Sequence, residues 1–152
     1  MTTRFNLTAA PEPYRALAGI EAWIKKSGIE SGLLHMLKLR ASQINGCAYC
    51  IDMHWKDAKA AGESDQRLYG LDAWEESPYY TDRERAAIEW IEVVTDLHDG
   101  HVPDEAYEEL KKHFNEQEVI ALTWAVATIN AWNRLAISSR AEPGHYKSGT
   151  QG

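Results

Sequence analysis

The sequence predicts an all-α fold, and two observations support this prediction. Apolar residues recur at intervals of three and four through most of the 152 residues, as they do along one face of a helix. No run of alternating apolar and polar residues is long enough to predict a strand. With a hydrophobic content of 44%, a chain of this length can bury a core of its own. We therefore expect one domain over residues 1–152, a bundle of about six or seven helices, with residues 143–152 as a flexible tail.

The first two helices are predicted from the residues at their ends. A helix from about residue 12 to residue 27 follows Pro11, and Gly28 stands just past its end. A second helix, from about residue 30 to residue 44, carries an apolar stripe of leucine, alanine and isoleucine and stops at Asn45-Gly46.

A third helix is predicted to begin near Cys47 and to end at Gly62. Residues 63–80 have a weaker pattern, interrupted by Gly70 and Pro78, which indicates short helical turns and loops. Four aromatic side chains are expected to hold this stretch against the core: Tyr69, Trp74, Tyr79 and Tyr80.

The last three helices are predicted from capping residues. Residues 81–84 have the spacing of a capping box and precede a helix that we expect to end at Asp99-Gly100. A short helix should follow Pro103. Asn115, with a glutamate three residues later, should cap a long run over residues 119–137. This run is apolar nearly all round, so we expect a central helix or one that a partner subunit covers.

The charge and the composition exclude several classes of partner. A formal net charge of −7, without any long cluster of lysine and arginine, disfavours nucleic acid and anionic lipid surfaces. The first residues lack the apolar core of a secretory signal, and no apolar stretch has the length of a membrane span. We expect a cytoplasmic protein. No glycine loop suited to phosphate is present, so no nucleotide or flavin cofactor is predicted.

Cys47, Cys50 and His54 are the strongest functional signal in the sequence. The two thiols are the only ones in the chain, and His54 follows Cys50 by one helical turn. A cysteine at the start of a helix is favoured as thiolate by the helix dipole. If one thiolate attacks a hydroperoxide, the second thiol can form a disulfide with the resulting sulfenic acid, and a histidine can protonate the leaving alkoxide.

Two other interpretations of these residues stay open from spacing alone. Two thiolates with His54 and His35 could form a zinc site of the Cys₂His₂ type, although such closed sites usually take ligands from two separate elements. Alternatively, Cys47 and Cys50 could be small buried packing residues and His54 a core histidine. A helical domain of this size needs no metal to fold, so we predict no metal ligands.

The stretch LKLRASQINGCAYCIDMH, over residues 37–54, closely resembles the signature of AhpD-like alkylhydroperoxidases within the carboxymuconolactone decarboxylase superfamily. The resemblance extends more loosely through residues 67–69, 81–86 and 129–135. It implies an all-helical domain that assembles as trimers or hexamers, and thiol-dependent reduction of hydroperoxides. It also implies that Cys50 attacks the peroxide, that Cys47 resolves the sulfenic acid, and that His54 belongs to a proton relay.

The sequence departs from the family pattern at one relay position. The family commonly has a glutamate twelve residues before the first cysteine, where this chain has His35. An imidazole can also carry protons near neutral pH, so we assign His35 to the relay with His54. Asn130, Trp132 and Asn133 could line the site or form a buried amide network, and we leave them out of the catalytic set.

These inferences predict a peroxidase or thiol–disulfide oxidoreductase that forms a homo-oligomer. Its catalytic residues would be Cys50, Cys47, His54 and His35, its substrate a small hydroperoxide, and its partner an external dithiol reductant protein. The alternatives are a lactone decarboxylase of the same superfamily, which has no evident use for paired thiols, and a redox sensor or interaction module without catalysis.

Overall fold

A computed structural model of the protein describes residues 2–97 and 101–149. Within these ranges it contains seven α-helices, two 3₁₀ helices and no strand, which confirms the predicted all-α class. The α-helices are α1 (Pro11–Lys25), α2 (Ser31–Asn45), α3 (Ala48–Ala60), α4 (Asp65–Tyr69), α5 (Asp82–Thr95), α6 (Asp104–Lys111) and α7 (Glu116–Ser139). The 3₁₀ helices are Leu7–Ala9 and Leu71–Glu76.

Two predicted capping boxes are present at the starts of α5 and α7. Thr81 Oγ1 accepts a hydrogen bond from the Glu84 amide at 3.2 Å, and the Glu84 carboxylate accepts one from the Thr81 amide at 2.8 Å. Asn115 and Glu118 make the same reciprocal pair at 3.0 and 2.9 Å. Because each box satisfies free amides within a few residues of its helix start, local sequence was sufficient to predict both.

Helix α5 ends earlier than the sequence predicted. Its last residue is Thr95, and Asp96 leaves the helical region with φ −102° and ψ 87°. The predicted end at Asp99-Gly100 lies outside the described residues. Leu97, just past this end, is 55% exposed and gains little burial. The low helix propensity of threonine and aspartate favours an end at this point.

Helices α2 and α7 form the centre of the bundle. Helix α2 packs against α3, α5 and α7, and its side chains are buried almost all round, including Leu37 and the charged Lys38. Helix α7 packs against α1, α2, α3 and α5 through Leu122, Val126 and Ile129. Its opposite face remains exposed, so α7 is central on one side only.

The connection over residues 63–80 is anchored by an ion-pair network and three of the four predicted aromatic residues. Trp74 and Tyr80 are buried and the half-buried Tyr79 packs against the core, whereas Tyr69 is 69% exposed and does not anchor this stretch. Arg67 on α4 donates hydrogen bonds to Glu63 and to Glu84, and its carbonyl accepts one from the Tyr80 hydroxyl at 2.7 Å. These contacts tie α4 to the start of α5.

The C-terminal segment, defined here as residues 141–149, lies along α3. Lys56 donates hydrogen bonds to the carbonyls of Gly144 and Tyr146, and Asp52 accepts one from the Gly144 amide. The flexibility predicted for residues 143–152 stays a prediction, and residues 150–152 lie outside the described part. Across the two described ranges, no helix has both the length and the apolar character needed to traverse a bilayer.

Candidate active site

A tight turn between α2 and α3 places the two cysteines. Gly46 adopts a left-handed conformation with φ 70° and ψ 32°, which is strained for residues with a Cβ. The Gly46 and Cys47 amides donate to the carbonyls of Gln43 and Ser42 at 3.2 and 3.0 Å, which satisfies the end of α2. Cys47 is therefore the N-cap of α3, at the helix start that the sequence predicted.

Cys47 and Cys50 are joined by a disulfide within the first turn of α3, with their Cα atoms 5.3 Å apart. The Cys50 amide donates to Cys47 Sγ at 3.4 Å. Both residues are buried and pack with Ala136 of α7, and Tyr49 and Ala141 cover them. After reduction, both sulfurs lie at the positive end of the helix dipole, which stabilises a thiolate there.

His54 and His35 lie against each other across the α2–α3 interface. Their ring centroids are 6.0 Å apart, with an angle of 32° between the ring planes. His54 is buried one turn after Cys50, and His35 is half-buried. Neither nitrogen of His54, nor Nδ1 of His35, has a hydrogen-bond partner within the described protein. The structure thus brings the two predicted relay residues together beside the disulfide.

Burial and neighbouring positive charge favour the neutral form of both imidazoles. Desolvation lowers the pKa of His54 well below its ordinary value, and the nearby Lys38 ammonium and His35 act in the same direction. The pKa of His35 is also lowered, mainly by desolvation, while the Asp57 carboxylate opposes this shift. Lys38 itself is buried and forms an ion pair with Glu21 of α1. A neutral imidazole can accept a proton, as a relay requires.

Asp57 belongs to this cluster, and the sequence analysis missed it. It lies one turn after His54 on α3, and the side-chain donor atoms of His35, His54 and Asp57 all lie within 4.8 Å of one another. Asp57 Oδ1 accepts hydrogen bonds from the hydroxyls of Tyr146 and Ser148, each at 2.8 Å. The signal was available, because Cys50, His54 and Asp57 have the i, i+4, i+7 spacing of one helix face.

A buried amide network connects the end of α2 to α7. Asn45 Nδ2 donates to Oδ1 of both Asn130 and Asn133 at 2.9 Å, and Asn133 Nδ2 donates to Ser42 Oγ at 3.0 Å. Asn133 is completely buried. This is the amide-network alternative for Asn130 and Asn133, and it holds the residues immediately before the Cys47 turn against the central helix.

Comparison with known proteins identifies the family of the chain. The sequence pattern of the Carboxymuconolactone decarboxylase family matches residues 9–93, which contain His35 and the whole Cys47–His54 motif. The chain belongs to this family. As a family member it is 40% identical over 129 residues to the uncharacterized protein YdfG of Bacillus subtilis, across 85% of this chain and 88% of YdfG.

Solved structures confirm the AhpD-like fold of this family member. A protein of unknown function from Agrobacterium tumefaciens, provisionally named an antioxidant defence protein AhpD, superposes with a TM-score of 0.90 at 40% identity. That match covers 95% of this chain and 100% of the other. An uncharacterized peroxidase-related protein from Ralstonia eutropha, described as an alkylhydroperoxidase AhpD core, has a TM-score of 0.80 at 20% identity. This second match covers 91% of this chain and 74% of the Ralstonia protein, and it supports the fold alone.

Proposed function

We propose that this protein is a thiol-dependent peroxidase that reduces alkyl hydroperoxides. The observation that carries the proposal is the Cys47–Cys50 disulfide at the start of α3, with His54 one turn later and His35 packed against it. The Cα atoms of the two cysteines are 5.3 Å apart, within the range that a disulfide requires, so the pair can alternate between dithiol and disulfide. Family membership supports the same assignment.

The proposed cycle begins with the reduced protein. The Cys50 thiolate attacks one peroxide oxygen, the O–O bond breaks, and the products are a Cys50 sulfenic acid and an alkoxide. The alkoxide takes a proton and leaves as the alcohol. The Cys47 thiol then condenses with the sulfenic acid, which releases water and forms the disulfide. An external dithiol protein restores both thiols by supplying two electrons and two protons.

The two histidines are assigned to proton transfer. His54 follows Cys50 by four residues on α3, and residues four apart are neighbours on a helix surface, so His54 is the group assigned to take the thiol proton. The same imidazole can then protonate the alkoxide, and His35 passes the next proton inward from the half-exposed edge of the site. The assignment of Cys50 as attacker and Cys47 as resolver follows the family resemblance.

A peroxide-consumption assay with dithiothreitol as reductant tests the cycle. Cys50→Ser should abolish turnover. Cys47→Ser should complete one attack and accumulate a sulfenic acid, detectable by its mass after trapping with dimedone. Ala48→Ser, an exposed change in the same turn, is the matched control and should retain activity. Full turnover by Cys50→Ser would contradict the proposed roles, and equal activity of a double cysteine-to-serine variant would contradict thiol chemistry altogether.

We also propose that the active form is a homo-oligomer, a trimer or hexamer by family resemblance. The exposed face of α7 carries Ile120, Trp124 and Leu135, which are 40%, 46% and 38% exposed. These positions fall within one narrow stripe of the helix, with Ala127 and Ala131 between them. An apolar stripe of this length on a helix surface is typical of a subunit contact.

A further inference from the structure

We propose that His35, His54 and Asp57 form a binding site for a divalent transition-metal ion such as Zn²⁺, next to the cysteine pair. The donor atoms come from two packed helices, His35 from α2 and the other two from adjacent turns of α3. The proposed peroxidase cycle does not use such an ion.

The spacing of the donor atoms suits a small ion. All three lie within 4.8 Å of one another. Zinc binds imidazole nitrogen at about 2.0–2.1 Å, so ligands around a tetrahedral ion are separated by roughly 3.4 Å. Side-chain rotations that move the donor atoms by roughly an ångström would therefore bring all three to bonding distance from one ion. Because the helices already hold the three groups together, the backbone need not move.

The second observation is the set of imidazole nitrogens without partners. Both nitrogens of buried His54 and Nδ1 of His35 lack hydrogen bonds within the described protein. Buried polar atoms are normally satisfied, and unsatisfied ones in a native protein call for a ligand or water. A metal ion would accept one lone pair from each neutral ring, and neutral imidazole is the form that ligates.

The groups around the cluster also fit a metal site. Asp57 supplies the negative charge, and the hydroxyls of Tyr146 and Ser148 bind its Oδ1, which orients the carboxylate as outer-shell partners do. Lys38 is the buried positive charge nearby, and Glu21 forms an ion pair with it. Glu21 offsets the Lys38 charge only in part, because Lys38 still acts on both imidazoles and Lys25 also acts on His35. Asp57 is the carboxylate with the largest opposing effect on His35, so it supplies the main attraction for a cation.

The oxidation state of the cysteines should control this site. Cys50 precedes His54 by one turn on the same helix face, so its thiolate can become a fourth ligand when the disulfide is reduced. Reduction of the disulfide takes up two electrons and two protons, and metal binding then displaces the Cys50 thiol proton. Coordination draws electron density from the Cys50 sulfur and lowers its nucleophilicity toward a peroxide. The ion would thus bind the reduced protein more tightly and slow its reaction with peroxide.

Titration of metal-free protein with Zn²⁺ and Co²⁺, without any peroxide, tests this site independently of the peroxidase proposal. We expect one equivalent of Zn²⁺ to bind the reduced protein at least about tenfold more tightly than the disulfide form, by calorimetry. Co²⁺ should show the intense visible bands of tetrahedral coordination, with thiolate charge transfer in the reduced protein only. Reduction should be followed by anaerobic desalting, so that no free thiol competes for the ion.

Three variants locate the ion. Asp57→Asn and His35→Gln should each weaken binding at least about tenfold, and Cys50→Ser should remove the charge-transfer band and the advantage of the reduced form. His145→Gln is the matched control, since that side chain is 81% exposed and lies outside the cluster. Circular dichroism without metal checks that each variant is folded. Unchanged binding by Asp57→Asn and His35→Gln would place the ion elsewhere and overturn the proposal, as would less than about a tenth of an equivalent bound.

Discussion

Replacing Asn133 by alanine should weaken the connection between the central helix and the cysteine turn. The completely buried amide accepts a hydrogen bond from Asn45 and donates one to Ser42. Each such bond contributes about 1 kcal/mol net, and a buried group left without its partner costs about 1–3 kcal/mol. Asn45 keeps its bond to Asn130, and Ser42 keeps its bond to the Lys38 carbonyl, so the loss is partial.

The sum of these contributions predicts a decrease of about 2–4 kcal/mol in the free energy of unfolding, including a small cavity. Urea unfolding of the oxidised protein, followed by circular dichroism at one fixed protein concentration, measures it. Gln117→Ala, an exposed change on the same helix, should stay within about 0.5 kcal/mol of the unaltered protein.

A double-mutant cycle isolates the contribution of the network. Ser42→Ala combined with Asn133→Ala should show a coupling free energy of about 1 kcal/mol, because the first change removes one partner of the second. A loss below about 0.5 kcal/mol for Asn133→Ala, with an unchanged m-value, would show that this network does not stabilise the end of α2.

Three further predictions follow from the turn, an ion pair and the surface of α7. Gly46→Ala should lower the free energy of unfolding by about 1–2 kcal/mol, because φ at Gly46 is 70°. Gly19→Ala should raise it by about 0.5–1 kcal/mol, because Gly19 is helical and has open space for a Cβ. Urea titrations that gave both changes the same sign would contradict this. Burial raises the pKa of Glu84, but its hydrogen bonds with Arg67 outweigh this and the net pKa is lowered. The stabilisation from the ionised Glu84 carboxylate is therefore present above its unfolded-state pKa and disappears as pH falls through its folded-state pKa. Glu84→Gln should destabilise the protein more at about pH 7 than at about pH 3. An equal loss of stability at both pH values would contradict this role of the Glu84 charge. Trp124→Glu should shift the protein to a smaller species in light scattering, whereas the exposed control Gln117→Glu should not; an unchanged mass for both would remove the α7 stripe from the subunit contact.

Local features of the fold were predictable from the sequence, because their physical causes lie within a few residues. The capping residues Thr81 and Asn115 bind amides three positions away. The turn after α2 requires a left-handed backbone conformation, which glycine at position 46 adopts readily. The start of α3 at the cysteines followed from the same reasoning. Each of these features depends on neighbours along the chain and hardly at all on the rest of the fold.

Features that depend on packing were predicted less well. The apolar content of α7 indicated a central helix or one that a partner subunit covers, and it did not show that one face, with Trp124, is exposed while α2 is enclosed more completely. Tyr69 is a large aromatic residue but is 69% exposed, because Leu68 and Leu71 occupy the buried side of this stretch. Hydrophobicity alone does not say which apolar face meets the core and which meets water or a partner.

The candidate site combines both kinds of information. The spacing of Cys47, Cys50 and His54 along one helix was legible in the sequence, and Asp57 at the next turn could have been included by extending the same period. The contact between His35 and His54 depends on how α2 packs against α3. No spacing rule reports that contact, and only the family resemblance drew attention to position 35.

Peroxide reduction by this cysteine pair can be followed through the intact mass and free-thiol count of reduced, metal-free protein after one equivalent of an organic hydroperoxide. We expect rapid loss of the mass of two hydrogen atoms, consumption of both thiols, formation of one equivalent of alcohol, and full reversal by a dithiol reductant. Thiols that stay reduced while the hydroperoxide remains intact would contradict the assignment of this cysteine pair to peroxide reduction.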